Sequence, residues 1–205
     1  MRFLALGDSY TIGEGVAPGE AWPAQLARRL RARGCAVGDP LVLARTGWTT
    51  DELATALAGA NLAGPFDFAT LLIGVNDQYR GRPPATFRAG CAGLLATAIA
   101  LAGHRAGRVL VVSIPDWGVT PFAREGGHDA VAVAAAIDAF NAIAGELARD
   151  HGVAFVDVTA LSREAGDAPG MLVGDGLHPS AAQYALWTEQ LVEPAEALLG
   201  GMRAR

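Results

Sequence analysis

Four loops of the chain carry residue types that could together catalyse acyl transfer. Ser9 follows the first predicted strand and Gly47 the second, while Asn76 follows the third. His178 opens the last predicted helix. Acyl transfer requires a nucleophile, a base that takes its proton, and hydrogen-bond donors that face the developing oxyanion. Because the carboxyl ends of parallel strands lie along one edge of a sheet, we expect these residues to converge there, with Ser9 as the nucleophile.

His178 is the histidine best placed to act as the base. Asp175 precedes it by three residues in a glycine-bounded loop, so its carboxylate could hydrogen-bond one ring nitrogen and direct the other towards Ser9. Pro179 restricts the backbone of His178 to extended conformations, which helps to fix its direction. An ordinary helix N-terminus with a capping loop is the alternative interpretation of the same residues. The remaining histidines are predicted to have no catalytic role: His104, His128 and His151.

The Gly-Asp-Ser sequence at residues 7–9 is a weak signal by itself. Asp8 and Ser9 could simply cap the turn that follows the first strand. Serine is scarce in the chain, which contains it only at Ser9, Ser113, Ser162 and Ser180. The position at the end of a buried strand therefore makes Ser9 a candidate.

The elements that must position these residues alternate between strand and helix. Apolar runs predict buried strands over residues 3–6, 41–44, 68–73, 109–114 and 153–158. Helices are predicted over residues 21–33, from Thr49 or Thr50, over 83–103, over 129–150, and from Pro179 onwards. Irregular structure is predicted for residues 115–127 and from about residue 162. Uniformly apolar strands alternating with helices favour a parallel sheet covered on both faces.

Composition limits the classes of protein to consider. The chain has 205 residues, of which 51% are hydrophobic and 18% charged, so we expect one packed domain over residues 1–205. The formal net charge of −5 argues against a nucleic-acid partner. Cys35 and Cys91 lie far apart, and the histidines form no metal-binding pattern, so no metal and no cofactor are predicted.

The sequence predicts neither a leader nor a membrane span. The N-terminal apolar run is too short for a secretory signal and leads directly into the Ser9 loop. The longest apolar segment, residues 91–102, is too short to cross a bilayer. We therefore expect a soluble, cytoplasmic protein.

Four short blocks resemble those of the SGNH, or GDSL-type, hydrolases. The blocks are Gly7-Asp8-Ser9-Tyr10, Gly47, Gly74-Val75-Asn76-Asp77 and Asp175-Gly176-Leu177-His178. They occur in the order of that family and span nearly the whole chain. The second block is the least specific because a single glycine defines it. The resemblance implies a flavodoxin-like, three-layer α/β/α sandwich with a five-stranded parallel sheet.

The resemblance also implies roles for individual residues. Ser9 would be the nucleophile, His178 the base and Asp175 the acid that orients the base. The oxyanion hole would consist of the backbone N–H groups of Ser9 and Gly47 and the side-chain amide of Asn76. The sequence lacks the G-x-S-x-G turn of α/β-hydrolases, because Thr11 stands at the second glycine position.

The leading hypothesis is a serine esterase that cleaves a small-molecule acyl ester through an acyl-enzyme. Members of the family act on short-chain esters, acetylated sugars, lysophospholipids and thioesters, and a short acyl group is favoured here. The alternatives are an acyltransferase that uses the same residues and a non-catalytic binding module. Aromatic residues near strand ends could line the acyl pocket or simply pack: Trp48, Tyr79, Trp117 and Phe122. Asp8 is expected to be structural, and Asp77 to stabilise the loop that presents Asn76.

Overall fold

Five apolar runs form a wholly parallel sheet in the computed structural model, which describes residues 1–200. The strands are β1 (Phe3–Gly7), β2 (Leu41–Ala44), β3 (Phe68–Leu72), β4 (Val109–Val112) and β5 (Ala154–Val156). Their order across the sheet is β2-β1-β3-β4-β5, which is the flavodoxin-like order. The predicted five-stranded parallel sheet is therefore confirmed.

Helices cover both faces of this sheet. The α-helices are α1 (Ser9–Ile12), α2 (Trp22–Ala32), α3 (Thr50–Gly59), α4 (Val75–Tyr79), α5 (Pro84–Leu101), α6 (Pro121–Glu125), α7 (Ala130–Asp150), α8 (Thr159–Ala165) and α9 (Ala181–Leu199). Short 3₁₀ helices lie at Pro18–Glu20, Ala106–Arg108 and Trp117–Val119. On one face α2 packs against α9, and on the other α5 packs against α3 and α7. The three-layer α/β/α sandwich is confirmed.

The register of the strands brings their carboxyl ends to one edge. Leu6 of β1 pairs with Leu43 of β2 and with Leu71 of β3, and Leu71 pairs in turn with Val111 of β4. Because the strands run in the same direction, the residues that follow them leave the sheet at this edge.

The second strand is not buried, contrary to prediction. Leu41 and Val42 are 42% and 41% exposed, whereas every residue of β1 and β3 is buried. Apolar composition alone does not distinguish a central strand from an edge strand. β2 has a neighbouring strand, β1, on one side only.

The last two strands are shorter than predicted because polar side chains redirect the chain. Ser113 Oγ donates to Asp157 Oδ1 over 2.8 Å, and the same carboxylate oxygen accepts the Thr159 N–H at 2.7 Å. The chain therefore leaves β5 after Val156 and enters α8. This helix extends into the segment predicted to be irregular from about residue 162.

Two further local predictions are wrong. Residues 115–127, predicted to be a loop, contain a 3₁₀ helix and α6. The last helix begins at Ala181 rather than at Pro179, because the Ser180 side chain is its N-cap and accepts the Ala182 N–H at 3.2 Å. His178 therefore lies in the loop before the helix.

Two helices, α5 and α7, are long and apolar enough to cross a membrane by length and composition alone. Both contribute side chains to the core of the domain. Phe87 of α5 stacks on Phe140 of α7 with ring centroids 4.5 Å apart, and both rings are buried.

The carboxyl group of Asp8 is fully buried where β1 ends. Its Oδ1 accepts the Tyr10 N–H at 3.1 Å and caps α1, while Oδ2 is buried without a hydrogen-bond partner among the described residues. Burial raises the pKa of Asp8 from 3.8 to about 8, and the negative charge of Asp77 adds to the shift against the opposing Tyr10 N–H. The folded protein therefore holds Asp8 protonated at neutral pH.

This protonation makes the stability of the fold depend on pH. Between pH 3.8 and about 8 the unfolded chain has released the Asp8 proton while the folded protein retains it. The contribution is therefore fully present at low pH and is lost as the pH rises through this range. Between pH 5 and pH 8 the loss is of the order of 3 kcal/mol. We expect Asp8→Asn to lack this component. The unfolding free energy of the variant, measured relative to that of the wild type, should therefore increase as the pH rises.

Urea unfolding at pH 5, 6, 7 and 8 measures this difference. Asp39→Asn is the control, because the Asp39 side chain is 90% exposed. Its stability should follow that of the wild type at each pH. Parallel curves for Asp8→Asn and the wild type would show that Asp8 does not titrate differently in the two states.

Candidate active site

A cavity of about 170 Å³ opens at the carboxyl edge of the sheet. Its lining comes from loops and helix starts that follow different strands. The lining residues are Ser9, Tyr10, Thr46, Gly47, Val75, Asn76, Tyr79, Trp117, Phe122, Leu177 and His178. The structure thus brings together the serine, histidine, glycine and asparagine that the sequence placed in four separate loops.

Ser9 is presented by a tight turn between β1 and α1. It is the first residue of α1, so its backbone N–H has no partner within the helix. A Cβ at Gly7 would overlap the Thr11 side chain and the Leu72 carbonyl, so only glycine fits before this turn. Ser9 itself is 5% exposed and is one of the residues that line the cavity.

Asp175 and His178 form a directed pair. His178 Nδ1 lies 2.6 Å from Asp175 Oδ2, while Asp175 Oδ1 accepts the backbone N–H groups of His178 at 2.9 Å and Leu177 at 2.8 Å. Since an ionised carboxylate only accepts hydrogen bonds, the proton resides on Nδ1 and Nε2 is the free acceptor. An ordinary helix N-terminus with a capping loop, the alternative offered by the sequence, does not explain the contact between the His178 ring and the Asp175 carboxylate.

The same hydrogen bonds keep Asp175 ionised. Partial burial by itself would raise the pKa of Asp175, but the His178 ring and the two backbone N–H groups together lower it below its ordinary value. The His178 side chain is 11% exposed and that of Asp175 43% exposed. The negative charge is therefore retained beside the imidazole through mildly acidic pH.

Gly47 lies in a β-turn. The Trp48 N–H donates to the Arg45 carbonyl at 3.2 Å, and Gly47, the third residue of the turn, has φ of +83°. A turn with positive φ at this position is of type II and favours glycine. Gly47 lines the cavity without a side chain, which leaves its backbone accessible to a ligand.

Asn76 lies in the first turn of α4, in a segment predicted to be a loop. Its Nδ2 donates to the Trp48 carbonyl at 2.9 Å, which fixes the amide nitrogen on that side. An amide nitrogen carries two N–H bonds, so the second remains available to a ligand in the cavity. The same hydrogen bond joins the Asn76 helix to the Gly47 turn.

Asp77 provides a second connection between these segments. Its Oδ2 accepts the Thr50 N–H and its Oδ1 the Thr50 hydroxyl, both at 2.9 Å. Burial raises the pKa of Asp77, although the Thr50 hydrogen bonds and the charge of Arg82 oppose the shift. The start of α3, with Thr49 as its N-cap, is thereby tied to α4, which agrees with the expectation that Asp77 stabilises the Asn76 loop.

Aromatic side chains form one wall of the cavity. Trp117, Tyr79 and Phe122 line it, with ring centroids 5.3 Å apart for Tyr79 and Trp117 and 6.2 Å apart for Trp117 and Phe122. Trp117 Nε1 donates to Gln78 Oε1 at 2.8 Å, which fixes the indole. Trp48 is not among the lining residues and packs against the core, which agrees with the alternative that it simply packs.

The other histidines are not among the residues that line the cavity. The His151 ring contacts the Leu147 carbonyl at the end of α7, and His104 follows α5 with φ of +60°. The His128 ring packs edge-on against Trp117 with centroids 4.9 Å apart and stacks on Phe122 with centroids 6.4 Å apart. Within residues 1–200, no three His, Cys, Asp or Glu residues are grouped as metal ligands.

Sequence reasoning missed several residues that shape the cavity. Tyr10, Thr46, Val75 and Leu177 line it, and each is a direct neighbour in sequence of a residue that was predicted. Tyr10, Val75 and Leu177 belong to the blocks themselves and Thr46 adjoins one, which was the available signal. By contrast, nothing in the sequence indicated that Gln78 fixes the indole of Trp117.

The chain and its fold match known hydrolases. Residues 5–186 match the GDSL-like lipase/acylhydrolase family. No curated protein sequence matches the chain.

Solved structures extend the likeness of the fold. TesA is 23% identical with a TM-score of 0.75, and the alignment covers 97% of this chain and 100% of TesA. A lipase/acylhydrolase from Enterococcus faecalis is also 23% identical with a TM-score of 0.75, covering 100% of both chains. A variant of Axe2, an acetyl-xylooligosaccharide esterase from Geobacillus Stearmophilus, is 18% identical with a TM-score of 0.69, covering 100% of this chain and 96% of Axe2.

The family match spans most of the chain, including the Ser9 and His178 loops, and the architecture agrees with it. The chain belongs to the GDSL-like lipase/acylhydrolase, or SGNH, family and is a carboxylic ester hydrolase.

Proposed function

We propose that the enzyme hydrolyses a small acyl ester through an acyl-enzyme on Ser9, with His178 as base and Asp175 as its orienting acid. The observation that carries this proposal is the 2.6 Å contact between His178 Nδ1 and Asp175 Oδ2. That contact leaves Nε2 free in a cavity that Ser9 also lines.

The chemistry follows from these positions. Ser9 Oγ attacks the ester carbonyl carbon while His178 Nε2 takes the hydroxyl proton, and Asp175 stabilises the imidazolium that forms. The backbone N–H groups of Ser9 and Gly47 and the second Asn76 N–H stabilise the oxyanion. Collapse of the tetrahedral intermediate expels the alcohol with the proton from His178. Water then attacks the acyl-enzyme by the same sequence and releases the acid.

The cavity favours a short acyl group. Its volume of about 170 Å³ lies below the roughly 300–1,000 Å³ of pockets that hold drug-sized ligands. Its wall consists mainly of apolar and aromatic side chains, which suits a short hydrocarbon chain or an acetyl group. Transfer to an alcohol would use the same residues, and the products formed with a competing alcohol distinguish transfer from hydrolysis.

Replacement of the nucleophile tests the mechanism first. Ser9→Ala removes the attacking oxygen, so turnover of p-nitrophenyl acetate should fall by more than about 1,000-fold. A fluorophosphonate probe should label the wild type and not the variant, as detected by intact mass. Thr97→Ala is a control, because the exposed Thr97 hydroxyl donates to the Gly93 carbonyl within α5 and lies outside the cavity lining. Hydrolysis at the wild-type rate by Ser9→Ala would overturn the proposal.

Asp175→Asn tests the orienting acid. The amide can keep both backbone hydrogen bonds through its oxygen but presents an N–H to His178 Nδ1, which moves the ring proton to Nε2. We expect kcat to fall by about 10³–10⁴-fold with little change in thermal midpoint. Asp167→Asn is a matched control, since that carboxylate is 55% exposed and pairs with Arg124. Retention of most of kcat in Asp175→Asn would remove Asp175 from the mechanism.

A panel of p-nitrophenyl esters from acetate to decanoate tests the substrate class. We expect kcat/KM to decline beyond short chains because the aromatic wall limits the cavity. Phe122→Ala enlarges the cavity and should shift the optimum towards longer chains by about 10-fold in the octanoate-to-acetate ratio. Phe155→Ala, at a half-buried phenylalanine on β5, should leave this ratio unchanged. A preference of the wild type for decanoate would contradict the proposal.

A further inference from the structure

The Gly47 turn lies outside the regular elements of the fold and has little packing of its own. Apart from the adjacent residues, the one atom of the described chain within 4 Å of a Cβ built at Gly47 is Arg80 Nη2, at 3.7 Å. The turn follows the exposed edge strand β2, and Arg45 and Thr46 within it are exposed. Its orientation therefore depends on specific contacts rather than on burial.

Arg80, at the end of α4, supplies such a contact. Its Nη2 donates to the Gly47 carbonyl at 2.6 Å, and its Nη1 lies 3.4 Å from Glu52 Oε2. Glu52 Oε2 in turn accepts the Thr49 N–H at 2.9 Å. One planar guanidinium therefore contacts the turn and the first turn of α3 at the same time, which a point charge such as an ammonium cannot reproduce.

Arg80 is also connected to Asn76. It is the residue that ends α4, and its backbone N–H donates to the Asn76 carbonyl at 3.1 Å. The side chain that holds Gly47 thus extends from the same short helix that presents the Asn76 amide.

Stability alone does not account for this arrangement. The Arg80 and Glu52 side chains are 43% and 42% exposed, and exposed ion pairs contribute little to folding. The contact to a backbone carbonyl in the cavity wall is the distinctive part. The Arg80 guanidinium donates to the Gly47 carbonyl, and the Trp48 N–H donates to the Arg45 backbone carbonyl. Both polar atoms of the peptide bond between Gly47 and Trp48 are therefore held by hydrogen bonds.

We propose that Arg80 is a positioning residue that holds the Gly47 turn so that the Gly47 N–H and the Asn76 amide face the same oxyanion. This inference rests on the proposed function, because it assumes that both groups are oxyanion donors. Arg80 acts only through Gly47 and does not itself contact the substrate. Its loss therefore affects the transition state more than the binding of the ester.

Arg80→Met and Arg80→Lys, assayed with p-nitrophenyl acetate, test the proposal. Loss of one oxyanion donor lowers kcat by about 10²–10³-fold, so displacement of a donor in Arg80→Met should lower kcat by about 10-fold. KM and the thermal midpoint should remain near the wild-type values, and Arg80→Lys should recover part of kcat. Arg88→Met is the matched control, because Arg88 and Glu146 form an exposed pair, 44% and 46% exposed, away from the turn. It should behave like the wild type.

A double-mutant cycle with Gly47→Ala identifies the route of the effect. If Arg80 acts through Gly47, the loss of kcat in Gly47→Ala/Arg80→Met is smaller than the product of the two single losses. Independent, multiplicative losses would overturn the proposal, as would wild-type kcat in Arg80→Met or a loss confined to KM. Ser9→Ala and Asn76→Ala are assayed in parallel. Their inactivity together with a fully active Arg80→Met refutes the role of Arg80 alone, whereas an active Ser9→Ala refutes the proposed function.

Discussion

The hydrogen bonds between Thr50 and the buried carboxylate of Asp77 are the interaction on which the cavity edge of the sheet depends. The carboxylate has no exposed surface, so leaving its oxygens without partners would carry a large desolvation cost. Thr50 satisfies both oxygens, with its backbone N–H on one and its hydroxyl on the other. This requirement joins the start of α3 to α4. The Gly47 turn precedes the start of α3, and Asn76 precedes Asp77 in α4. The hydrogen bonds between Thr50 and Asp77 therefore limit the distance between the Gly47 turn and Asn76.

Two buried carboxyl groups beneath the cavity have different environments and different consequences. Asp77 has two donors, and Arg82 lies 3.5 Å from its Oδ1, whereas within residues 1–200 Asp8 has one side-chain donor contact and one oxygen without a partner. The negative charge of Asp77 also raises the pKa of Asp8, in addition to the effect of burial. A protonated Asp8 beside an Asp77 with three polar neighbours is the arrangement that relieves this repulsion. Asp175, by contrast, is ionised because it lies at the surface with three donors.

Sequence reasoning predicted what depends on local pattern and on the direction of parallel strands. The five strands and the convergence of Ser9, Asn76 and His178 follow from those two rules, whereas the flavodoxin-like architecture was implied only by the resemblance of the four blocks to a family. The exposure of β2 did not follow, because the position of a strand in a sheet is decided by its neighbours. The start of α9 was misplaced because Ser180 competes with Pro179 for the helix boundary, and the side-chain hydrogen bond decides it. Long-range contacts such as that of Arg80 with Gly47 leave no periodic trace in a sequence.

The edge strand β2 has a consequence for association between molecules. An open edge offers unpaired N–H and C=O groups to which another chain could add a strand and so begin aggregation. Here the edge is four residues long, Pro40 before it has no N–H to donate, and the charged Arg45 follows it. These neighbours act as gatekeepers: they limit an added strand to a few hydrogen bonds, although the exposed Leu41 and Val42 would favour it. The protein thus keeps an apolar edge beside its active site without presenting a long template for fibril growth.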